Sequence, residues 1–531
     1  MTPPTPNERQ PVFPAKGRPE LVVGLVGAIG LDLGGIEVAL DRAFHEVEYR
    51  TSSIHLIDVV LEFQRWKPAA NLPYADLAGQ KMDAGDQFRS FIKRDEALAI
   101  VGMLEIRRLR KESTGQPTIP LSETAFLLHS LKTRAEVEIL RRVYGPNFIL
   151  VAGFCPKKQR LQDLKRRIGA KDISADFDQY EADAARLASR DEREHRRWGQ
   201  DVRSTFPLAD VFLNASDSAS VERDCRRFVE LLFGHPTRTP TRDEFAMFQA
   251  YGAAMRSSSP GRQVGATIAT CDGEIVTVGT NEVAKAFGGQ YWEEDAVDHR
   301  DHTLPDDPSK LMTESIVVDL LARLRKQGWL DKNIASLTND ELLVRAKKEL
   351  LEALEIDPGE RPSLAQRALI LNLIEFLRIV HAEMAAITAA ARRGARIEGC
   401  VLYSTTFPCH ECARHIVAAG IKRVVFIEPY PKSKVLELYQ DSIILDERDH
   451  TSRIVFDAFV GIAPRRYLEW FAAPARESQS GKRLVWEDIR RNQYPRRAVP
   501  ASEYLVSEGE LVNLLDEPQK ILIQDEGAIR K

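Results

Sequence analysis

Apolar and polar positions along the chain follow one pattern up to about residue 236 and another after it. Leu21-Val22-Val23-Gly24-Leu25-Val26 is a short continuous apolar run, which predicts a buried strand. It enters a glycine-rich turn, Gly27-Ala28-Ile29-Gly30-Leu31-Asp32-Leu33-Gly34-Gly35, and a helical pattern follows from Ile36 to Phe44. Strand, glycine turn and helix is the plan of a phosphate-binding loop. Later apolar strands at Phe148–Ala152 and Asp210–Leu213 alternate with charged helical stretches, which predicts a parallel sheet. Residues 19–236 are therefore expected to form a P-loop kinase-like α/β domain.

Thr237-Arg238-Thr239-Pro240-Thr241 reads as a linker, and a helix is expected from Asp243 to Arg256. Two β-rich runs follow, Gln263–Thr270 and Glu274–Val278, joined by Cys271-Asp272-Gly273, a good hairpin signal. Residues 305–375 are charged and mostly helical in pattern, for example Glu341 to Leu354, and are too long for a simple loop. An alanine-rich helix is expected from near His381 through Ala391, then a strand Cys400–Ser404, a helix to Ala419 and a strand Arg423–Ile427. These elements give a second domain, 240–475, with the insertion 305–375. A polar C-terminal extension, 476–531, contains one more apolar run near Leu511 to Leu515.

At 531 residues the chain is too long for one ordinary core. Its 44% hydrophobic and 29% charged content is that of a globular protein. The net charge of −4 gives no global electrostatic case for nucleic-acid binding, so basic runs such as Arg107–Lys111 and Lys165–Arg167 read as solvated helix faces. The stretch Asp191–Arg197 contains arginines that could clamp phosphates, or simply form a charged helix. Six cysteines are sparse in 531 residues, and the scattered four, Cys155, Cys225, Cys271 and Cys400, read as reduced thiols, which argues for a cytoplasmic location. Residues 1–18 are polar and proline-rich and are expected to be disordered. No run approaches the roughly 20 apolar residues of a membrane span, so no membrane partner is expected.

The chemistry sits in His381-Ala382-Glu383 and Pro408-Cys409-His410-Glu411-Cys412. His381, Cys409 and Cys412 offer three zinc ligands, and a catalytic Zn2+ site keeps a fourth position open for water. Zinc makes hydroxide available near neutral pH, and Glu383 is placed to shuttle protons. A cysteine pair at i, i+3 after a proline suits a helix start, whose dipole favours thiolates. The bland alternative is a closed structural knuckle with His410 or His415 as fourth ligand. The combined H-x-E…P-C-x-x-C pattern is far more specific than C-x-x-C alone.

The glycine turn is a degenerate match. From Gly30 the spacing reaches Gly35, but Ile36 and Glu37 stand where a P-loop needs lysine and a hydroxyl. Gly24, Gly27 and Gly30 also read as G-x-x-G-x-x-G. Nucleotide binding at Gly24, Gly27, Gly30 and Gly35, and a tight turn with no ligand, both remain open.

With Gln263-Val264-Gly265-Ala266, Thr280-Asn281 and the zinc motif in hand, residues 240–470 resemble the cytidine/deoxycytidylate deaminase family. The resemblance implies a mixed five-stranded sheet between helices, a three-layer α/β/α domain. It implies His381, Cys409 and Cys412 as zinc ligands, Glu383 as proton shuttle, and Asn281 and Val264 beside the substrate. Arg262, Lys432 and His299 are candidate phosphate contacts, since a nucleotide substrate needs cations that a free nucleoside does not. The whole chain, through Lys81–Asp86, Thr280–Val283, Tyr291-Trp292, Asp298–Asp301 and Glu428–Ser433, resembles the bacterial anti-phage dCTP deaminases of the AvcD type. That resemblance implies deamination of free dCTP and dCMP, depletion of the dCTP pool during phage infection, a homo-oligomer, a regulatory nucleotide, and an inhibitory small RNA partner.

Two other classes compete. A single-stranded nucleic-acid cytidine deaminase needs a basic or aromatic channel, which 8% aromatics and a slight acidic excess do not favour. A non-catalytic module with a structural zinc would need a fourth protein ligand.

Overall fold

A computed structural model describes residues 18–170, 177–194, 196–348, 370, 373–428, 433–445, 452–472 and 475–515. The expected disorder of residues 1–18 falls almost wholly outside this set. The chain divides into two compact units. The first comprises the residues up to Glu194, Trp198–Glu244 and the chain from Val460 onward; the second is chiefly Phe245–Phe459.

The first unit is built on five parallel strands: β1 (Leu21–Val26), β2 (Arg50–His55), β3 (Thr124–His129), β4 (Phe148–Phe154) and β5 (Val211–Asn214). Their order is β5-β4-β1-β3-β2, so β1 is central. β1, β3 and β4 are almost wholly buried, as strands of a covered parallel sheet are. Helix α1 (Leu33–His45) follows the glycine turn and turns Ile36, Leu40 and Phe44 inward. Helices α2 (Ala97–Thr114), α3 (Glu181–Glu192) and α4 (Ser218–Leu232) also belong to this unit. β2, with the sequence Arg-Thr-Ser-Ser-Ile-His, carries almost no apolar signal; it forms because it sits at the sheet edge, paired with β3 from Arg50 to His55.

The C-terminal boundary differs from the sequence expectation. Residues after 460 are part of the first unit rather than the end of the second domain and a separate extension. Three packing facts account for this. Gly461–Ile462 adds to the first sheet antiparallel to β5. Trp470 and Trp486 enter the core formed by β1, α1 and α4. Glu508 is fully buried against Arg110 and Tyr144.

The main sheet of the second unit has six strands among the described residues: β6 (Gly265–Ala269), β7 (Ile275–Thr280), β8 (Val401–Thr406), β9 (Arg423–Glu428), β10 (Ile443–Leu445) and β11 (Ile454–Ala458). The order is β10-β11-β9-β8-β6-β7, with β6 antiparallel to both its neighbours, β8 and β7, and the other pairs parallel. The expected five-stranded mixed sheet is thus extended by a sixth strand, β10. Helix α5 (Ala382–Arg393) lies on β7 and β6, and α6 (His410–Ala418) follows β8. In the insertion the described helices are Pro308–Lys326, Lys332–Ala335 and Asn339–Ala346; the rest of the predicted Glu341–Leu354 helix lies largely outside the described residues.

Candidate active site and metal centre

The site is assembled by two helix N-termini at one side of the second sheet. His381 caps α5 and Glu383 occupies its first turn. Gly279 makes this placement feasible: a Cβ there would lie 2.2 Å from the Ala382 carbonyl and 2.5 Å from the Ala386 amide. Only glycine lets α5 sit flush on β7, and that contact fixes where His381 and Glu383 begin. Cys409 caps α6, and its Sγ accepts from the Cys412 amide at 3.4 Å. The i, i+3 spacing in the first helical turn brings Cys412 back beside Cys409.

The donor atoms of His381, Cys409 and Cys412 lie within 4.8 Å of one another. His381 Nδ1 is 3.2 Å from Cys409 Sγ and 3.4 Å from Cys412 Sγ. Two sulfurs and one imidazole nitrogen converging at such distances fit the donor set and size of a zinc ion. The electrostatics point the same way. Cys409 is held at about 4, first by the Cys412 hydrogen bond and then, against burial, by His381. Cys412 is pushed up by its contact with Cys409 and by burial. Two buried thiols competing for one negative charge is the conflict a divalent cation relieves.

Glu383 is buried, and burial pushes its carboxyl pKa up, with the nearby Cys409 adding to the effect. Its Oε1 accepts from Ser404 Oγ at 3.1 Å and its Oε2 from Cys412 Sγ at 3.4 Å. Neither His410 nor His415 joins the ligand group among the described residues. The His415 ring is engaged with the Glu411 carbonyl at 2.9 Å. Three protein ligands beside a buried carboxylate is the composition of an open catalytic site rather than a closed structural one.

Residues 240–428 match the family model for the cytidine and deoxycytidylate deaminase zinc-binding region. The match supports the cytidine and deoxycytidylate deaminase family. Zinc is accordingly the cofactor of this region, with His381, Cys409 and Cys412 able to hold it. The chain is 49% identical over 55 residues to the deoxycytidylate deaminase of Enterobacteria phage T4, covering 10% of this chain and 28% of that one. It is 33% identical over 90 residues to the deoxycytidylate deaminase of Homo sapiens, covering 17% of this chain and 42% of that one. The chain spans less than half the length of these curated relatives. A dCMP deaminase from cyanophage S-TIM5, solved in complex with dCMP and dUMP, aligns at 16% identity with a TM-score of 0.21, over 41% of this chain and 98% of that one.

In the matched region the expected substrate residues divide into a connected group and a separate one. Asn281 is buried and binds backbone on both sides of its amide. Its Oδ1 accepts from the Val264 amide at 2.6 Å and its Nδ2 donates to the Arg262 carbonyl at 2.6 Å. Asn281 thus shapes the 262–264 segment, whose next residue, Gly265, donates its amide to Thr405 Oγ1 at 3.1 Å. The Arg262 guanidinium forms an ion pair with Glu428, both about 40% exposed. His299 lies against the Tyr291 ring, with centroids 5.5 Å apart, and its carbonyl accepts from Arg378. Lys432 lies outside the described residues. Ser404 escapes sequence reasoning because a serine in a β-strand carries no signal of its own; only the pairing of β8 with β6 and the approach of α5 place it against Glu383.

The four glycines of the first unit occupy different settings. Gly24 lies within β1, where a Cβ would meet Leu131 at 2.6 Å, and Gly35 lies within α1. Gly27 and Gly30 are in the turn itself. No helix among the described residues is long and apolar enough to cross a membrane.

Proposed function

We propose that the second unit hydrolyses the exocyclic amine of free deoxycytidine nucleotides, dCTP and dCMP, giving the deoxyuridine nucleotide and ammonia. The observation that carries this reading is the buried Glu383 set beside the His381, Cys409 and Cys412 donors. Zinc held there supplies the Lewis acidity that activates water near neutral pH. Glu383 takes the proton of the attacking water, delivers it to the ring nitrogen, and then assists departure of the amine. Its raised pKa suits a group that must both accept and return a proton. Ser404 holds Oε1 and leaves Oε2 facing the metal ligands.

The Asn281-braced segment 262–264 would line the sugar and base, and Arg262 would turn from Glu428 to a substrate phosphate. His299 and Lys432 complete the set proposed for the phosphates. In the first unit, a central β1 followed by a glycine turn and α1 supports a P-loop kinase-like domain with a regulatory role. Resemblance to anti-phage dCTP deaminases supports a defence effector that drains the dCTP pool, assembles as an oligomer and answers to a small RNA.

The test is direct. Purified full-length protein with zinc is offered dCMP, dCTP and a cytosine-containing single-stranded oligodeoxynucleotide, with products read by mass spectrometry. Deoxyuridine nucleotides from the free nucleotides alone are expected. Deamination of the oligonucleotide alone would replace this reading with polynucleotide editing.

A further inference from the structure

The first unit carries a half-open cavity of about 420 Å3 lined chiefly by the segments after β1, β2 and β3, with Arg167, Asp191 and Gln200 from the chain after β4. Those are the carboxyl ends of parallel strands, where open α/β sheets take their ligands. The volume is in the range of small-molecule sites.

One anion position is built into this cavity and filled from within. Asp191, near the end of α3, is fully buried. Its Oδ2 accepts from the Ile29 amide of the glycine turn at 2.7 Å, and its Oδ1 pairs with Lys132 Nζ at 2.7 Å. Lys132 also donates to the Gly27 carbonyl at 3.2 Å. A turn amide and an ammonium therefore converge on a single anion, the combination that binds phosphate oxygens.

No second anion position of this kind is present among the described residues of the turn. Asp32 caps α1, accepting from the Gly35 amide at 3.1 Å. Ile36 and Glu37 follow where a triphosphate site needs a lysine and a magnesium-binding hydroxyl. The other cations lining the cavity are already engaged: Lys81 with Asp58, Arg89 with Asp86 and Glu136, and Arg167 with the Leu31 carbonyl.

The rest of the cavity has unmet hydrogen-bonding capacity. Gln200 is more than nine-tenths buried, and its Oε1 has no partner; Ser130 Oγ is likewise buried and unpartnered. Both residues line the cavity. A buried polar atom left unpaired is destabilising, so a ligand donor at these atoms is favoured. Apolar wall from Ile57, Tyr74, Met82 and Leu98 offers a surface for a ring.

We propose that this cavity binds a nucleoside 5′-monophosphate, whose phosphate replaces the Asp191 carboxylate between the Ile29 amide and Lys132. The sugar hydroxyls and base edge then meet Gln200 and Ser130. Asp191 acts as an internal competitor, so its displacement accompanies binding and releases the end of α3 from the turn. The site lies wholly in the first unit and does not depend on the deaminase reading.

The experiment is calorimetric titration of the full-length protein with AMP, GMP, UMP and dTMP, alongside adenosine, inorganic phosphate and magnesium ATP. dCMP is omitted because the deaminase site would compete for it. At least one monophosphate is expected to bind at one per chain, more tightly than adenosine, phosphate or ATP. Asp191→Asn is expected to tighten that binding roughly tenfold by removing the competing charge. Lys132→Ala is expected to abolish it while leaving dCMP turnover unchanged. A gain in affinity cannot come from misfolding, so the Asp191 variant decides the matter if the Lys132 variant folds poorly. No monophosphate binding in either wild type or Asp191→Asn, a preference for ATP, or unchanged affinity in a folded Lys132→Ala variant each overturns the proposal.

Discussion

Ser404 Oγ donates a 3.1 Å hydrogen bond to Glu383 Oε1, and both side chains are buried. The serine therefore orients the carboxylate that is proposed to carry protons, without itself reaching the zinc ligands. One hydrogen bond to a charged group is worth about 1.5–3 kcal/mol. Ser404→Ala should lower kcat by about tenfold to a hundredfold while KM and zinc content hold steady. Ser404→Thr, which keeps the hydroxyl, should recover part of the rate. Loss of zinc in the alanine variant would mean that the serine supports the metal site rather than the proton shuttle.

Asn281 spends both ends of its amide on the 262–264 backbone. Asn281→Ala should leave a buried amide and carbonyl unpaired, at about 1–3 kcal/mol, and raise KM more than it lowers kcat. Asn281→Asp keeps the acceptor for Val264 and loses the donor for Arg262, so its KM should fall between the two. Steady-state kinetics on dCMP separates these outcomes; an unchanged KM in the alanine variant would remove Asn281 from substrate binding.

The C-terminal segment should prove integral to the first unit. Arg110 lies between Glu20 and Glu508, 2.5 Å from each, and all three are fully buried. Tyr504 and Tyr144 donate to the same two carboxylates at 2.7 and 2.6 Å. Arg110→Met strips the carboxylates of their cation, and breaking a buried pair in this way costs about 3–5 kcal/mol. Thermal unfolding of the first unit should shift down, as should that of a chain ending before Tyr504. A truncated chain that melts at the wild-type temperature would contradict the assignment.

Much of this was legible in the sequence. The zinc motif could be read because its residue types are fixed by chemistry and its spacing by helix geometry. β1, the glycine turn, the 271–273 hairpin and the Arg242–Ala254 helix could be read because each carries a local signal. What could not be read rests on long-range pairing. β2 has no apolar pattern, and Gly461–Ile462 is too short to stand out, yet it ties the C-terminal segment to β5. Trp470 and Trp486 look like isolated aromatics until the core they fill is known. The same holds for Ser404 and Asp191, whose partners lie 21 and 162 residues away.

Acid should weaken the first unit through His129. Burial, then the neighbouring His55 and Lys132, lower its pKa from 6.5 to about 4. The unfolded chain therefore binds more protons than the folded one between those values, and stability must fall as pH drops through that window. Denaturant midpoints measured from pH 7 to pH 4 should decline, and His129→Asn should flatten the decline. An equal slope in both proteins would assign the acid sensitivity to other groups.

The most direct test of the account pairs Glu383→Gln with the wild type, measuring zinc per chain and turnover of dCMP and dCTP on the same samples. Both proteins are predicted to hold one zinc, with the wild type active and the variant slower by about a hundredfold to ten-thousandfold. A zinc-loaded wild type that turns over neither nucleotide, or a Glu383→Gln variant that retains full activity, would contradict it.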